Sequence, residues 1–370
     1  MLKGLVDIFY SAQHKLHDIE NVVVNGAPLG SEEVSARAEL ILQALQQANL
    51  GKVRTPDDHG IMPILAAHDA AYVDFLQRAY DDYAAYYHKA EPVTAGTFAP
   101  PGFRRRTKHI YGELGLYAYG DGSPILAGTW QAAYWSVQCA LSAVDAVLHQ
   151  GEMAYALCRP PGHHATADHY GGFCYLNNVA IAARYWQQQR LHGRRRPRLA
   201  ILDIDYHHGN GTQEIFYRDG AVLYCSLHAH PDDDYPFYWG EANERGAGRG
   251  AGCNRNWPLP QGTGDAAYLA ALKEALESIA AFKPRGLLVS LGLDTFRGDP
   301  VGGFNLSTDG LAAAGQAIGQ LKLPCAVVQE GGYLLEKLGE NCVAFLKGLM
   351  TANDVYNISD TLFSLAYVLQ

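Results

Sequence analysis

The segment 202-LDIDYHHGNGTQ-213 carries an apolar strand into Asp203, Asp205 and His207 just before a glycine-rich loop. Side chains alternate along a strand, so these three tend to share one face. In 288-LVSLGLDTFRGDP-300 a second apolar run finishes at Asp294, and in 329-QEGGY-333 a third places Tyr333 behind two glycines. Ligands of α/β sheets bind at the carboxyl ends of strands. A buried carboxylate without a partner is costly, and a cation shared among Asp205, His207 and Asp294 removes that cost. An Asp/His/Asp set suits a catalytic zinc ion, which takes three protein ligands and keeps an open position. Iron(II) or manganese accepts the same donors. A hydrogen-bonded polar cluster without metal is the competing reading.

The segment 158-CRPPGHHATADHYGGFCYLNN-178 adds adjacent histidines, His163 and His164, between a Pro-Pro-Gly turn and a Gly-Gly turn. On a helix or strand, neighbouring side chains diverge. A loop held by such turns can aim both rings at one place, which suits proton transfer by one imidazole with the other holding charge beside it.

The elements that must position these groups follow from periodicity. Near-continuous apolar runs at 153–158, 199–205, 221–227, 286–292 and 325–330 predict parallel strands covered on both faces. The stretches 130–149, 177–191, 264–282, 309–321 and 335–349 carry helical spacing; Tyr268, Leu269, Leu272, Leu276 and Ile279 form one stripe. Strand–helix alternation predicts an α/β fold, a single domain over 1–370 with a predominantly parallel central sheet and helices on both faces. Residues 91–108 and 229–263 read as loops of the kind that form binding walls. The basic run 194-RRRPR-198 reads as a solvated turn.

Composition narrows the function. The chain has 370 residues, 48% hydrophobic, with a net charge of −9. Such a charge argues against general nucleic-acid binding and favours a cationic ligand. The seven cysteines are scattered and contain no CxxC, which fits a reducing, cytoplasmic setting rather than a disulfide framework. The N-terminal stretch MLKGLVDIFYSAQHK reads as an opening strand, not a signal peptide, and no apolar run long enough to span a membrane is expected.

The motifs RPPGHHA, GGFCYLNN, LDIDYHHGNGTQEIFY, SLGLDTF and EGGY resemble the signatures of the histone deacetylase superfamily, which has the arginase–deacetylase fold. The resemblance runs over most of the chain and is strongest to the bacterial acetylpolyamine amidohydrolases, through GTWQAA (128–133) and SLHAHPDDDYPFYWGEANERGAG. It implies a mononuclear zinc amidohydrolase with Asp205, His207 and Asp294 as metal ligands. It makes His164 the general base and then acid, His163 its companion, and Tyr333 the donor to the oxyanion. Asp203 orients His163. Asn210 stands where many histone deacetylases have Asp beside the second histidine, and as a neutral group it favours protonated His164 less. Phe173 and Tyr235 match aromatic walls of a narrow tunnel. Structural potassium is implied at Asp203, Asp205, His207, Ser226 and Leu227, with Phe216 and Val222 matching a second monovalent site.

In that branch an insertion before GTW, here near 91–123, narrows the channel and helps build a dimer, so a homodimer or higher homo-oligomer is expected. Acidic residues near the insertion read the substrate's distal ammonium in relatives. Here Tyr111 and Gly122 align with those positions, with Glu113 and Asp121 adjacent, and Asp232, Asp233 and Asp234 are another source of charge. The implied substrate is a small acetylated amine, foremost an acetylpolyamine. An acetyl-lysine protein deacetylase and a catalytically silent binding module are the alternatives.

Overall fold

The computed structural model describes residues 6–24, 27–100, 102, 107–150, 153–189 and 196–367. Ten strands occur among them: β1 (Val6–Phe9), β2 (Asn21–Val24), β3 (Ala27–Gly30), β4 (Gly51–Arg54), β5 (Met153–Ala156), β6 (Leu199–Asp203), β7 (Val222–Ala229), β8 (Asn254–Leu259), β9 (Leu287–Leu291) and β10 (Cys325–Gln329). Eight form one sheet in the order β4-β1-β5-β10-β9-β6-β7-β8. Every neighbouring pair in it is parallel. β2 and β3 make a separate antiparallel pair.

The sheet is buried on both faces, which is why its inner strands are predominantly apolar. Along β6, Ala200 and Leu202 point into one core with residues of helices Ala36–Gln47, Asp265–Phe282, Thr308–Gly319 and Leu335–Tyr367. Leu199 and Ile201 point into the other, against helices Thr129–Gln150 and Asn178–Gln188. The three-layer α/β architecture expected from the alternation is the one observed.

Differences from the sequence expectation fall at the margins. β8 lies inside 229–263, read above as loop. Its sequence, NRNWPL, is not an apolar run, because it is an edge strand whose inward Asn254 and Asn256 donate to the Gln213 side chain at 2.8 and 2.9 Å. Its Pro258 is tolerable at an edge. Helix Ile110–Tyr117 lies within 91–123, and Ala70–Tyr87 is a further helix whose exposed Tyr86 and Tyr87 blur its apolar stripe. Arg104, Arg105, Arg106, Arg194 and Arg195 lie outside the described residues. Arg196 stands 3.7 Å from Asp219, and Arg198 stacks over Phe282. Among the described residues no helix is long and apolar enough to cross a membrane.

The four central strands β5, β10, β9 and β6 are consecutive in the sheet and parallel. Their carboxyl ends therefore open on one edge, and the segments that follow them carry His163 and His164, Tyr333, Asp294, and Asp203 to His207.

Candidate active site

Asp205, His207 and Asp294 converge, all buried, with one ligand atom from each lying within 4.8 Å of the others. His207 Nδ1 lies 3.2 Å from both Asp205 Oδ1 and Asp294 Oδ2. A tetrahedral ion with bonds of about 2.0 Å sets its ligands about 3.3 Å apart, so His207 Nδ1 stands from each carboxylate oxygen at the spacing a small divalent ion requires. The carboxylates are fixed from behind. Asp205 accepts from the backbone N–H of His207 (2.9 Å) and Gly331 (2.8 Å), and Asp294 accepts from Tyr206 N (2.9 Å). Space is reserved as well: a Cβ on Gly331 would sit 2.3 Å from Asp294 Oδ2 and 2.6 Å from Asp205 Oδ2.

The electrostatics fit a cation. Burial and the Asp205 charge push the Asp294 carboxyl up to about 7. Burial alone would depress His207, but hydrogen bonds to Asp205 and Asp294 and their charges outweigh it and hold the ring up to about 10. Two buried acids beside one imidazole thus compete for a positive charge that a bound dication would supply. A second group, His230, Asp232 and Glu241, lies at the surface, and its Asp232 side chain is 86% exposed.

Strict strand alternation predicts Asp203 on the same face as Asp205 and His207. The structure separates them: β6 ends at Asp203 and the chain bends through 205–207. Asp203 Oδ2 lies 3.1 Å from His163 Nδ1 and accepts from Tyr224 Oη at 2.9 Å. His163 Nε2 stands 3.7 Å from Asp205 Oδ1. Burial lowers the His163 pKa, but the Asp205 and Asp203 carboxylates overcome this and hold it up to about 10. His164, with its ring centroid 4.1 Å from that of His163, behaves oppositely. Burial and the positive charges of His163 and His207 hold it well below its usual value. Its Nδ1 lies 2.7 Å from Asn210 Oδ1. The pair is thus divided into one ring that favours the charged form and one that favours the neutral form.

Tyr333 is 5% exposed, with the Arg37 guanidinium 4.4 Å from its ring centroid and its N–H donating to Asp299 at 2.6 Å. The Phe173 ring lies 6.0 Å from the Tyr333 ring, and the Tyr235 ring lies 4.9 Å from His164 and 6.2 Å from His207. Both aromatics are half-buried. Phe173 has φ +64°, a left-handed conformation that a bulky residue adopts only when its surroundings enforce it. Its N–H donates to Ser123 Oγ at 2.8 Å. The preceding Gly172 is required by contact, since a Cβ there would lie 2.5 Å from His164 Cδ2.

The residues matched to monovalent sites are also placed. Asp203, the last residue of β6, is the register partner of Ser226 within β7, with Leu227 next along β7. Phe216 closes helix Asn210–Phe216 and Val222 opens β7, on either side of the intervening turn.

Several residues at the site carry no local sequence signal. Tyr119, from the segment before GTW, donates to the His164 carbonyl at 2.8 Å. Asp299 accepts from both Tyr333 N and Leu334 N. Glu330 is fully buried against the histidine-pair loop. Two acids considered as ammonium readers are already engaged. Glu113 accepts from Arg78 through both oxygens at 2.8 and 2.9 Å, and Asp234 accepts from Tyr206 Oη (2.7 Å) and Tyr235 N (2.8 Å). Asp234 therefore anchors the segment bearing Tyr235.

A parallel sheet presenting a buried Asp/His/Asp cluster, paired histidines and a tyrosine at four adjacent strand ends defines the deacetylase class, and comparison with known proteins agrees. The histone deacetylase domain matches residues 31–349, and the chain belongs to that family. It is 45% identical over 344 residues to acetylpolyamine amidohydrolase 1 of Pseudomonas aeruginosa, covering 92% of this chain and 97% of the relative. It is 38% identical to acetylpolyamine amidohydrolase of Mycoplana ramosa, covering 92% and 99%. The crystal structure of acetylpolyamine aminohydrolase from Burkholderia pseudomallei superposes with a TM-score of 0.88 at 39% identity, covering 94% of this chain and 99% of that one. Membership of the family and the cluster described above together imply a divalent metal.

Proposed function

We propose that the chain is a zinc-dependent deacetylase that hydrolyses the acetamide of acetylpolyamines or related small acetylated amines. The observation that carries this reading is the Asp205–His207–Asp294 cluster beside His164, whose ring lies 6.0 Å from that of His207, with Tyr235 against both histidines and Phe173 against Tyr333, in a chain similar to acetylpolyamine amidohydrolases over most of its length. When bound, a divalent ion supplies Lewis acidity to the amide carbonyl and to water. The residues supply the rest. His164, held neutral and oriented by Asn210, takes a proton from the attacking water and returns it to the departing nitrogen. His163, charged and fixed by Asp203, keeps positive potential beside it. Tyr333, packed under Arg37 and pinned through Asp299, donates its hydroxyl to the oxyanion. Phe173 and Tyr235 grip the methylene chain behind the acetamide.

Zinc is the resident metal in this reading, and Asp203, Asp205, His207, Ser226 and Leu227 would hold a structural potassium ion. The chain works as one catalytic domain, with 91–123 as an insertion that narrows the mouth and supports a homodimer. Seven unpaired cysteines suit a cytoplasmic setting.

Substrate class is testable. A net charge of −9 favours an amine that carries a free ammonium. N-Acetylputrescine is expected to exceed an acetyl-lysine peptide in kcat/KM by about tenfold or more, the size of one charge-assisted contact. Steady-state kinetics on the two substrates side by side checks this. Faster turnover of the peptide would replace the polyamine reading with that of a protein deacetylase.

A further inference from the structure

Glu330 is 0% exposed and immediately precedes Gly331, Gly332 and Tyr333. Among the described residues, no lysine or arginine pairs with its carboxylate. The carboxylate is occupied by neutral donors. Oε2 accepts from Gly162 N at 2.6 Å and from His163 N at 3.2 Å, while Oε1 accepts from Ser290 Oγ at 3.1 Å. Two successive backbone N–H groups converging on one oxygen form an anion-binding nest. The backbone of Glu330 is fixed too. Its N–H donates to Leu291 O at 2.8 Å, and its carbonyl accepts from Arg37 Nη2 at 2.7 Å. One side chain therefore joins the loop after β5, which carries the histidine pair, to Ser290 on β9 and to the end of β10, which leads to Tyr333.

A carboxylate buried this deeply is expensive to keep, and neither the metal cluster nor the proton-transfer steps use it. We propose that Glu330 is a positioning residue whose carboxylate, by holding the Gly162 and His163 N–H groups, sets the separation between the histidine pair and Tyr333. The proposal rests on the deacetylase reading for its kinetic consequence, but the clamp itself has a readout independent of activity. A displacement of about 1 Å between reacting groups costs on the order of 10²-fold in rate without a matching loss of binding.

The test compares the wild type with Glu330→Ala, Glu330→Gln and Glu330→Asp, measuring kcat and KM on N-acetylputrescine, metal per chain, and amide hydrogen exchange at Gly162 and His163. Glu330→Ala is expected to lower kcat by about 100-fold with KM within about threefold, metal content unchanged, and both amides exchanging faster. Glu330→Gln restores most of the rate and protection, because its amide oxygen still accepts both N–H groups. Glu330→Asp keeps the charge but withdraws it by one methylene, so it behaves like the alanine variant and replaces it if that variant does not fold. Wild-type kcat in Glu330→Asp, or a glutamine variant no better than the aspartate one, overturns the proposal. If the wild type deacetylates no acetylated amine, the functional reading fails, and unchanged amide protection in Glu330→Asp still overturns the clamp.

Discussion

Asp294→Asn is expected to lose both metal and activity while the protein stays folded. The amide oxygen can still accept from Tyr206 N, as the carboxylate does at 2.9 Å, so the backbone beneath the site is preserved. What disappears is one of two negative charges and a ligand atom 3.2 Å from His207 Nδ1. Loss of Lewis acidity is worth several kcal/mol at the transition state, so kcat/KM is expected to fall by about three orders of magnitude or more. Elemental analysis should show well under one ion per chain, with an unchanged circular dichroism spectrum. A variant that keeps a full equivalent of metal would remove Asp294 from the ligand set.

Tyr333→Phe and His164→Ala separate two roles that share one pocket. The tyrosine variant deletes a single hydroxyl and leaves the ring between Arg37 and Phe173. It is expected to lower kcat by ~10²–10³-fold, the usual cost of an oxyanion donor, with metal near one per chain. His164→Ala removes the proton acceptor and is expected to cost ~10²–10⁴-fold. His163→Ala is expected to be milder, because its ring supports rather than transfers. Single-turnover rates with metal content measured on the same samples check all three. An unchanged rate in Tyr333→Phe would mean that another group stabilises the oxyanion.

The contrast between Asp205 and Glu330 shows how far the sequence alone could reach. Asp205, His207, Asp294 and Tyr333 stand just beyond aliphatic runs, and a parallel sheet brings the ends of such runs to one edge, so periodicity and chemistry located them together. Asp203 shows the limit of the alternation rule. Extended geometry stops at its own position, the chain bends, and its carboxylate turns to His163 and Tyr224. Glu330, Asp299 and Tyr119 act through partners 168, 34 and 45 residues away. No local pattern encodes such pairings, because they exist only once the sheet and its loops have assembled. Asp234 offered charge in the sequence, yet in the fold it is an anchor for Tyr235. The edge strand β8 escaped because its buried positions are asparagines that donate to Gln213, not aliphatics.

Hydrolysis of an acetamide is expected to need a divalent ion at Asp205, His207 and Asp294. Stripping the protein with a chelator, verifying the loss by elemental analysis, and titrating zinc back while following acetate release from N-acetylputrescine tests it most directly. Activity is expected to fall to background in the stripped protein and to recover linearly to a break at one ion per chain. Full turnover by protein shown to contain no metal would contradict it.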